Sequence, residues 1–140
     1  MLEVSHLASL LIGLGRTTLA VLECIKNMSM ISGPVSDMLM TVKSREVQRG
    51  MLAEMRGDRP SAARHFLAAA HLELVLAADF DEIGDADLAL RSRLSAASCF
   101  WRAGDPMSAR GLIENLLESH PERAAIIRGV LDDLEQNVSP

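Results

Sequence analysis

The sequence predicts an all-α protein of about five to seven helices, arranged as antiparallel helix hairpins. Apolar residues recur at helical spacings of three and four along nearly all of the 140 residues, and no segment shows a convincing strand pattern. Glycine followed by Pro or Asp separates the periodic stretches, as is typical of helix ends. A composition of 49% hydrophobic and 24% charged residues indicates one globular domain with a single core.

Residues 1–34 are an apolar N-terminal segment, expected to form one helix or a helix pair that ends at Ser32-Gly33-Pro34. Gly13 and Gly15 each weaken a helix by about 1 kcal/mol relative to Ala, so a kink is expected there. The segment is apolar on more than one face, which favours burial by other helices or by a second copy of the chain. A heptad-spaced seam runs along it through Leu7, Leu11, Leu14, Thr18, Val21, Ile25 and Met28.

Five further helices are predicted along the rest of the chain. An acidic loop, Asp79 to Asp87 with Gly84 in its middle, is expected before the third of these helices, and it should end by capping that helix. Asp105 and Pro106 suit the N-cap and first position of the fourth. The predicted helices cover residues 35–56, 61–79, 86–103, 106–119 and 121–137.

Two Gly-Asp turns, at Gly57 and Gly104, divide the chain into similar units. An Ala follows each glycine by five residues, a large apolar residue comes four positions later, and a small residue precedes each glycine by seven. Small residues at those positions let the two helices of a hairpin approach closely. The matching positions are Gly50, Ala62 and Phe66 in the first unit and Ala97, Ala109 and Ile113 in the second.

This pattern resembles the tetratricopeptide repeat, whose 34-residue motif combines a small residue, a Gly-Asp turn, an Ala and an aromatic residue. The resemblance implies a first helix pair over residues 35–80, a second over residues 85–121, and a capping helix over residues 121–137. The two units lie 47 residues apart rather than 34, so the second helix of the first unit and the following loop are expected to be longer. An unrelated antiparallel bundle with Gly-Asp turns is the alternative.

No catalytic or metal-ligating constellation stands out in the sequence, so an enzyme is not expected, and neither is a cofactor. Cys24 and Cys99 lack the spacing of a zinc site, and His65 and His71, six residues apart on one helix, should face different directions. The few aromatic residues and the net charge of −5 argue against nucleic-acid binding. No apolar stretch reaches the roughly 18 residues that a membrane-spanning helix needs, and a cytoplasmic protein is expected.

Six of the eight methionines lie between Met28 and Met55, which leaves three interpretations open. The first interpretation is a metal-binding helical bundle, because thioether ligands suit Cu(I). Alternate residues on a helix point about 200° apart, however, so Met28 and Met30 can chelate together only where the helix is broken. The others are an adaptable partner-binding surface and ordinary core packing, and core packing is favoured.

The resemblance also implies a function, because ligands of tetratricopeptide repeats lie against the first helix of each unit. It predicts a non-enzymatic module that binds a peptide or helix of a partner protein, with arginines beside an exposed Trp suited to an acidic peptide. In one alternative Trp101 turns into the core. In another alternative, the chain is a structural or regulatory domain that forms a homo-oligomer, such as a homodimer, through the N-terminal seam. The expected partner-binding residues are Met51, Met55, Arg91, Ser98, Trp101 and Arg102.

Overall fold

A computed structural model of the chain describes residues 32–137, and this part consists of helices joined by short turns, with no strand. The all-α prediction is confirmed. The predicted N-terminal seam, including Leu7, Leu11, Leu14, Val21 and Ile25, lies outside the described residues. The described elements are α1 (Ser32–Met55), α2 (Arg59–Glu82), α3 (Ala86–Arg102), α4 (Pro106–Ser119), a 3-10 turn (Pro121–Arg123) and α5 (Ala124–Gln136).

Three turns of the same geometry join the first four helices. Each consists of three residues, and in each the central glycine has a positive φ: 72° at Gly57, 80° at Gly84 and 83° at Gly104. The N–H groups of the glycine and of the following Asp close a Schellman C-cap onto carbonyls of the preceding helix. The same Asp then caps the next helix, because its carboxylate accepts a hydrogen bond from the N–H three residues later. One Gly-Asp pair therefore ends one helix and begins the next.

The prediction of a loop over residues 79–87 is wrong, although this segment does end by capping the next helix, through Asp85, as expected. Helix α2 continues to Glu82, and only the turn of Gly84 separates it from α3. The acidic residues find partners on neighbouring helices: Asp81 pairs with Arg93, and Asp79 accepts a hydrogen bond from Ser36. The long spacing between the two units thus includes a long second helix, 24 residues in α2 against 14 in α4, and no long loop.

The main core lies among α2, α3, α4 and α5, within the compact unit Ser36–Pro140. Facing residues of α3 and α4 meet there, and Ile127 of α5 closes it with no exposed surface. A smaller cluster joins α1 to α2 through Ala53, Ala62 and Phe66. The large core residues without solvent contact are Phe66, Leu76, Ile113 and Ile127.

Gly50 lies at a close contact between α1 and α2. A Cβ atom on Gly50 would lie 2.9 Å from the ring of Phe66, closer than real Cβ atoms approach a neighbour. Because Phe66 is fully buried, its ring has no free space to move into. The small residue expected seven positions before the Gly57 turn is therefore required by packing between the two helices.

Candidate functional site

A groove of about 740 Å³ opens along the side of the molecule where α1, α3 and α5 lie next to one another. Its residues come from the ends of these helices and from the turn between α3 and α4. The turn is fixed by the positive φ of Gly104 and by Pro106 at the start of α4. The part of the groove that these two residues line therefore lies on a capped helix end. The lining residues are Glu54, Trp101, Arg102, Gly104, Pro106, Leu134 and Asn137.

Arg102 joins the α1 side of the groove to the α3 side. Its guanidinium nitrogen lies 2.6 Å from a carboxylate oxygen of Glu54, and its guanidinium carbon lies 4.2 Å from the centre of the Phe66 ring. The side chains of Arg102 and Glu54 stay about two-fifths exposed. Both charges can therefore exchange their mutual contact for a partner's charge, because a pair this exposed is only weakly stabilising.

Trp101 provides the apolar surface of the groove. The residue is half-buried: part of it packs on the main core, and the remainder lines the groove. The guanidinium carbon of Arg110 lies 5.2 Å from the ring centre, and Arg110 also reaches Glu135 of α5 at 3.4 Å. The ring is thereby fixed between the core and a cation, which makes it a rigid anchor with an exposed edge.

The other residues predicted on the inner face do not join Trp101 and Arg102 in this groove. Arg91 lines a separate cavity of about 230 Å³, beside the 3.1 Å ion pair of Lys43 with buried Glu73. Ser98 is half-buried, and its hydroxyl donates to the Leu94 carbonyl one turn earlier on α3.

The two methionines predicted for the inner face are exposed on α1. Met51 is 45% exposed and Met55 is 83% exposed, and neither lines the groove. Met38 and Met40 are exposed as well, by 67% and 38%, so the favoured interpretation of core packing is wrong for all four described methionines of the cluster. Met28 and Met30 lie outside the described residues.

Sequence reasoning missed the contribution of α5. Leu134 packs on the core, and its exposed part lines the groove together with Asn137. No local signal in the sequence identifies this contribution, because only the fold brings the C-terminal end of α5 next to the last turn of α3, which carries Trp101 and Arg102.

The other candidate reactive side chains that the sequence singles out, Cys99, His65 and His71, contact neighbouring parts of the fold. Burial, together with the nearby charge of Glu73, raises the pKa of the Cys99 thiol to about 11, so it stays protonated and a poor nucleophile at neutral pH. His65 contacts Glu46 of α1, whereas His71 meets Phe100 of α3 edge-on at 5.4 Å. The two histidines thus face different helices, as predicted.

Among residues 32–137 no three His, Cys, Asp or Glu side chains come together in a way that could hold a metal ion. Within the same residues no helix combines the length and the apolar character needed to cross a membrane.

Comparisons of the chain with family models, with the sequences of curated proteins and with solved structures found no match.

Proposed function

We propose that the protein is a non-enzymatic, tetratricopeptide-like interaction module that binds a segment of a partner protein in the groove between α1, α3 and α5. The observation that carries this proposal is the placement of Trp101 and Arg102 in one groove with Glu54. Trp and Arg are the residue types that most often dominate the energy of protein interfaces.

The size and chemistry of the groove support a peptide side chain as its occupant. A volume of about 740 Å³ accommodates one or two large side chains and lies within the usual range for ligand sites. Trp101, Pro106 and Leu134 offer apolar contact, while Glu54 and Arg102 offer one charge of each sign at the edge. The segment best suited has an apolar anchor residue next to a charged one, because the anchor fills the groove and the charge replaces one member of the Glu54–Arg102 pair.

The chain provides its own reporter for the test. Trp101 is the only tryptophan and the sequence has no tyrosine, so fluorescence excited at the tryptophan band reports on the surroundings of this one groove residue. Peptides selected from a random displayed library against the full chain are titrated into it. We expect the fluorescence of Trp101 to change on binding. A library that yields no binding peptide contradicts the proposal.

Matched variants separate the groove from the rest of the surface. Arg102→Ala removes the ion pair with Glu54, and Arg93→Ala is its control, because Arg93 lies on the same helix and pairs with Asp81 outside the groove. Asn137→Phe fills the groove, and Asn115→Phe places the same bulk on an exposed residue of α4 that does not line it.

We expect the two groove variants to weaken peptide binding about tenfold or more, the loss usual for a central contact, and the two controls to leave it within about twofold. Equal affinity for all four variants would place the peptide elsewhere on the molecule and refute the groove assignment.

A further inference from the structure

Helix α1 has a face that no other described helix covers. Five residues of α1 and one residue of the turn after it follow one another at spacings of four, three, four, three and four. They therefore form one straight stripe along the helix. All six are exposed, and the apolar ones strongly so: Met38 by 67%, Val42 by 43% and Leu52 by 50%. The α1 stripe consists of Met38, Val42, Arg45, Arg49, Leu52 and Arg56.

The stripe is positively charged on an acidic protein. Residues 35–65 contain six basic and four acidic residues, whereas residues 66–137 contain six basic and thirteen acidic ones. Arg49 pairs with Glu46 on its own helix, while Arg45 and Arg56 form no ion pair among the described residues. A symmetric contact of two α1 stripes would set arginines against arginines, so the charge pattern disfavours that arrangement.

The outer face of α5, the last described helix, is acidic and therefore complements the positive charge of the α1 stripe. Opposite the buried Ile127, this face presents Asp132 and Asp133, neither of which forms an ion pair among the described residues. The residues centred opposite Ile127 are Ala125, Gly129, Asp132, Asp133 and Gln136, all of them exposed, and the exposed Ile126 and Arg128 flank them.

Gly129 adds an observation independent of charge. It lies in the interior of α5, where glycine costs about 1 kcal/mol relative to Ala. A Cβ atom there would meet nothing within 4 Å, so packing among the described residues does not require the glycine. Together with Ala125, it leaves a shallow place where another helix could approach the backbone of α5 closely.

We propose that a second copy of the chain covers the α1 stripe with the outer face of its α5, so that molecules associate head to tail. The arginines of the stripe then meet Asp132 and Asp133, and Met38, Val42 and Leu52 lose contact with water. A single pair of helices buries an area at the low end of specific interfaces, so the association is weak. Because the two surfaces differ, the contact leaves a free surface at each end and can extend.

The test measures the mass distribution of the full chain by sedimentation velocity, from a few micromolar to about 200 µM. We expect the average mass to rise with concentration and to fall again when salt is raised from about 0.05 to 0.5 M, because screening weakens the charge contacts. A wild-type chain that stays monomeric over this range at low salt overturns the proposal.

Charge reversal assigns the contact to its two surfaces. Arg45→Glu with Arg56→Glu alters the stripe and spares the Arg49–Glu46 pair, while Asp132→Lys with Asp133→Lys alters the outer face of α5. We expect each double variant to weaken association at least tenfold. An equimolar mixture of the two should associate again, because every reversed surface then finds a complementary one.

The control is Glu114→Lys with Glu118→Lys, which changes the net charge as much as the α5 variant does but alters exposed residues of α4. It should associate like the wild type. Association that survives both reversals would assign the contact to other residues of the chain, such as the N-terminal seam, and would refute the head-to-tail arrangement. The peptide titrations of the groove are a separate measurement, and either proposal can fail without the other.

Discussion

The two helix hairpins of this protein are built on the same turn but are held together by different forces. In the second hairpin, the facing sides of α3 and α4 are almost entirely apolar and lie in the main core. In the first hairpin, α1 has only Gly50 and Ala53 fully buried over residues 35–55. Besides the partly buried Val47, α1 makes polar contacts: Glu46 meets His65 at 2.6 Å and Lys43 pairs with Glu73 on α2, while Glu54 pairs with Arg102 on α3.

This difference determines which part of the molecule responds to its surroundings. Apolar packing depends little on pH or salt, whereas ion pairs weaken when a partner is neutralised or screened. Helix α1 carries Glu54 of the groove and the arginines of the stripe. Both proposed surfaces therefore depend on the hairpin that is held by polar contacts.

The largest effect is expected from truncating Phe66, the one large apolar residue of the small cluster between α1 and α2. Phe66→Ala should lower the free energy of unfolding by about 3–5 kcal/mol, and Ile113→Ala, its counterpart in the second hairpin, by about 2–5 kcal/mol. Hydrogen exchange should separate the two variants. Phe66→Ala should expose the amides of α1 while α3 and α4 stay protected, and Ile113→Ala should affect α3 to α5. Equal loss of protection in α1 for both variants would contradict the division into two differently held hairpins.

A smaller loss is expected where α1 approaches α2. Gly50→Ala places a Cβ atom 2.9 Å from the buried ring of Phe66, and overpacking of this kind costs about 1–3 kcal/mol. The gain in helix propensity, about 1 kcal/mol, offsets part of this cost. Gly129→Ala is the matched control, because it has the same gain and meets no neighbouring atom, so it should stabilise the chain. Urea unfolding of the two variants should give changes of opposite sign.

Much of this architecture could be predicted from residues that act locally. Gly57, Gly104 and their aspartates determine a turn by themselves, so the helices around them were found within a few residues. The third turn, at Gly84, was missed because the acidic residues before it are typical of a loop. Their partners, Ser36 and Arg93, are distant in sequence and are brought close only by the fold.

The groove was predictable only in part, for the same reason. Trp101 and Arg102 were identified from their position in the repeat-like unit, and Glu54 meets Arg102 across 48 residues of sequence. Arg91 was grouped with them because it lies on the same face of α3. Since it is nearly three helical turns away, it lines another cavity.

The caps should show what the two hairpins share. Asp58→Ala and Asp105→Ala each remove the carboxylate that accepts a hydrogen bond from the N–H three residues later. Each should lower the melting temperature by a similar few degrees, although the hairpins differ in packing. Asn at either position keeps an acceptor and should restore most of the loss. A much larger loss in one hairpin would mean that the turn is coupled to the packing around it.

The smallest effect, and the most specific to the first hairpin, is its response to acid. The hydrogen bond from His65 and the nearby charges of His65 and Arg49 hold the pKa of Glu46 below its ordinary value of about 4.3. The ionised Glu46 therefore stabilises the fold at pH values above the ordinary pKa. This contribution is lost as the pH falls through the lowered pKa of the folded chain.

Glu46→Gln should accordingly destabilise the chain at pH 7, and the difference from the wild type should shrink as the pH falls towards 3. Glu114→Gln, an exposed change on α4, should give a difference that hardly varies over the same range. Thermal unfolding at a series of pH values measures both. A Glu46→Gln difference that stays constant would mean that the contact with His65 does not hold α1 through its charge. The polar contacts of α1 would then respond to pH as the apolar core of the second hairpin does, and the contrast between the hairpins would rest on burial alone.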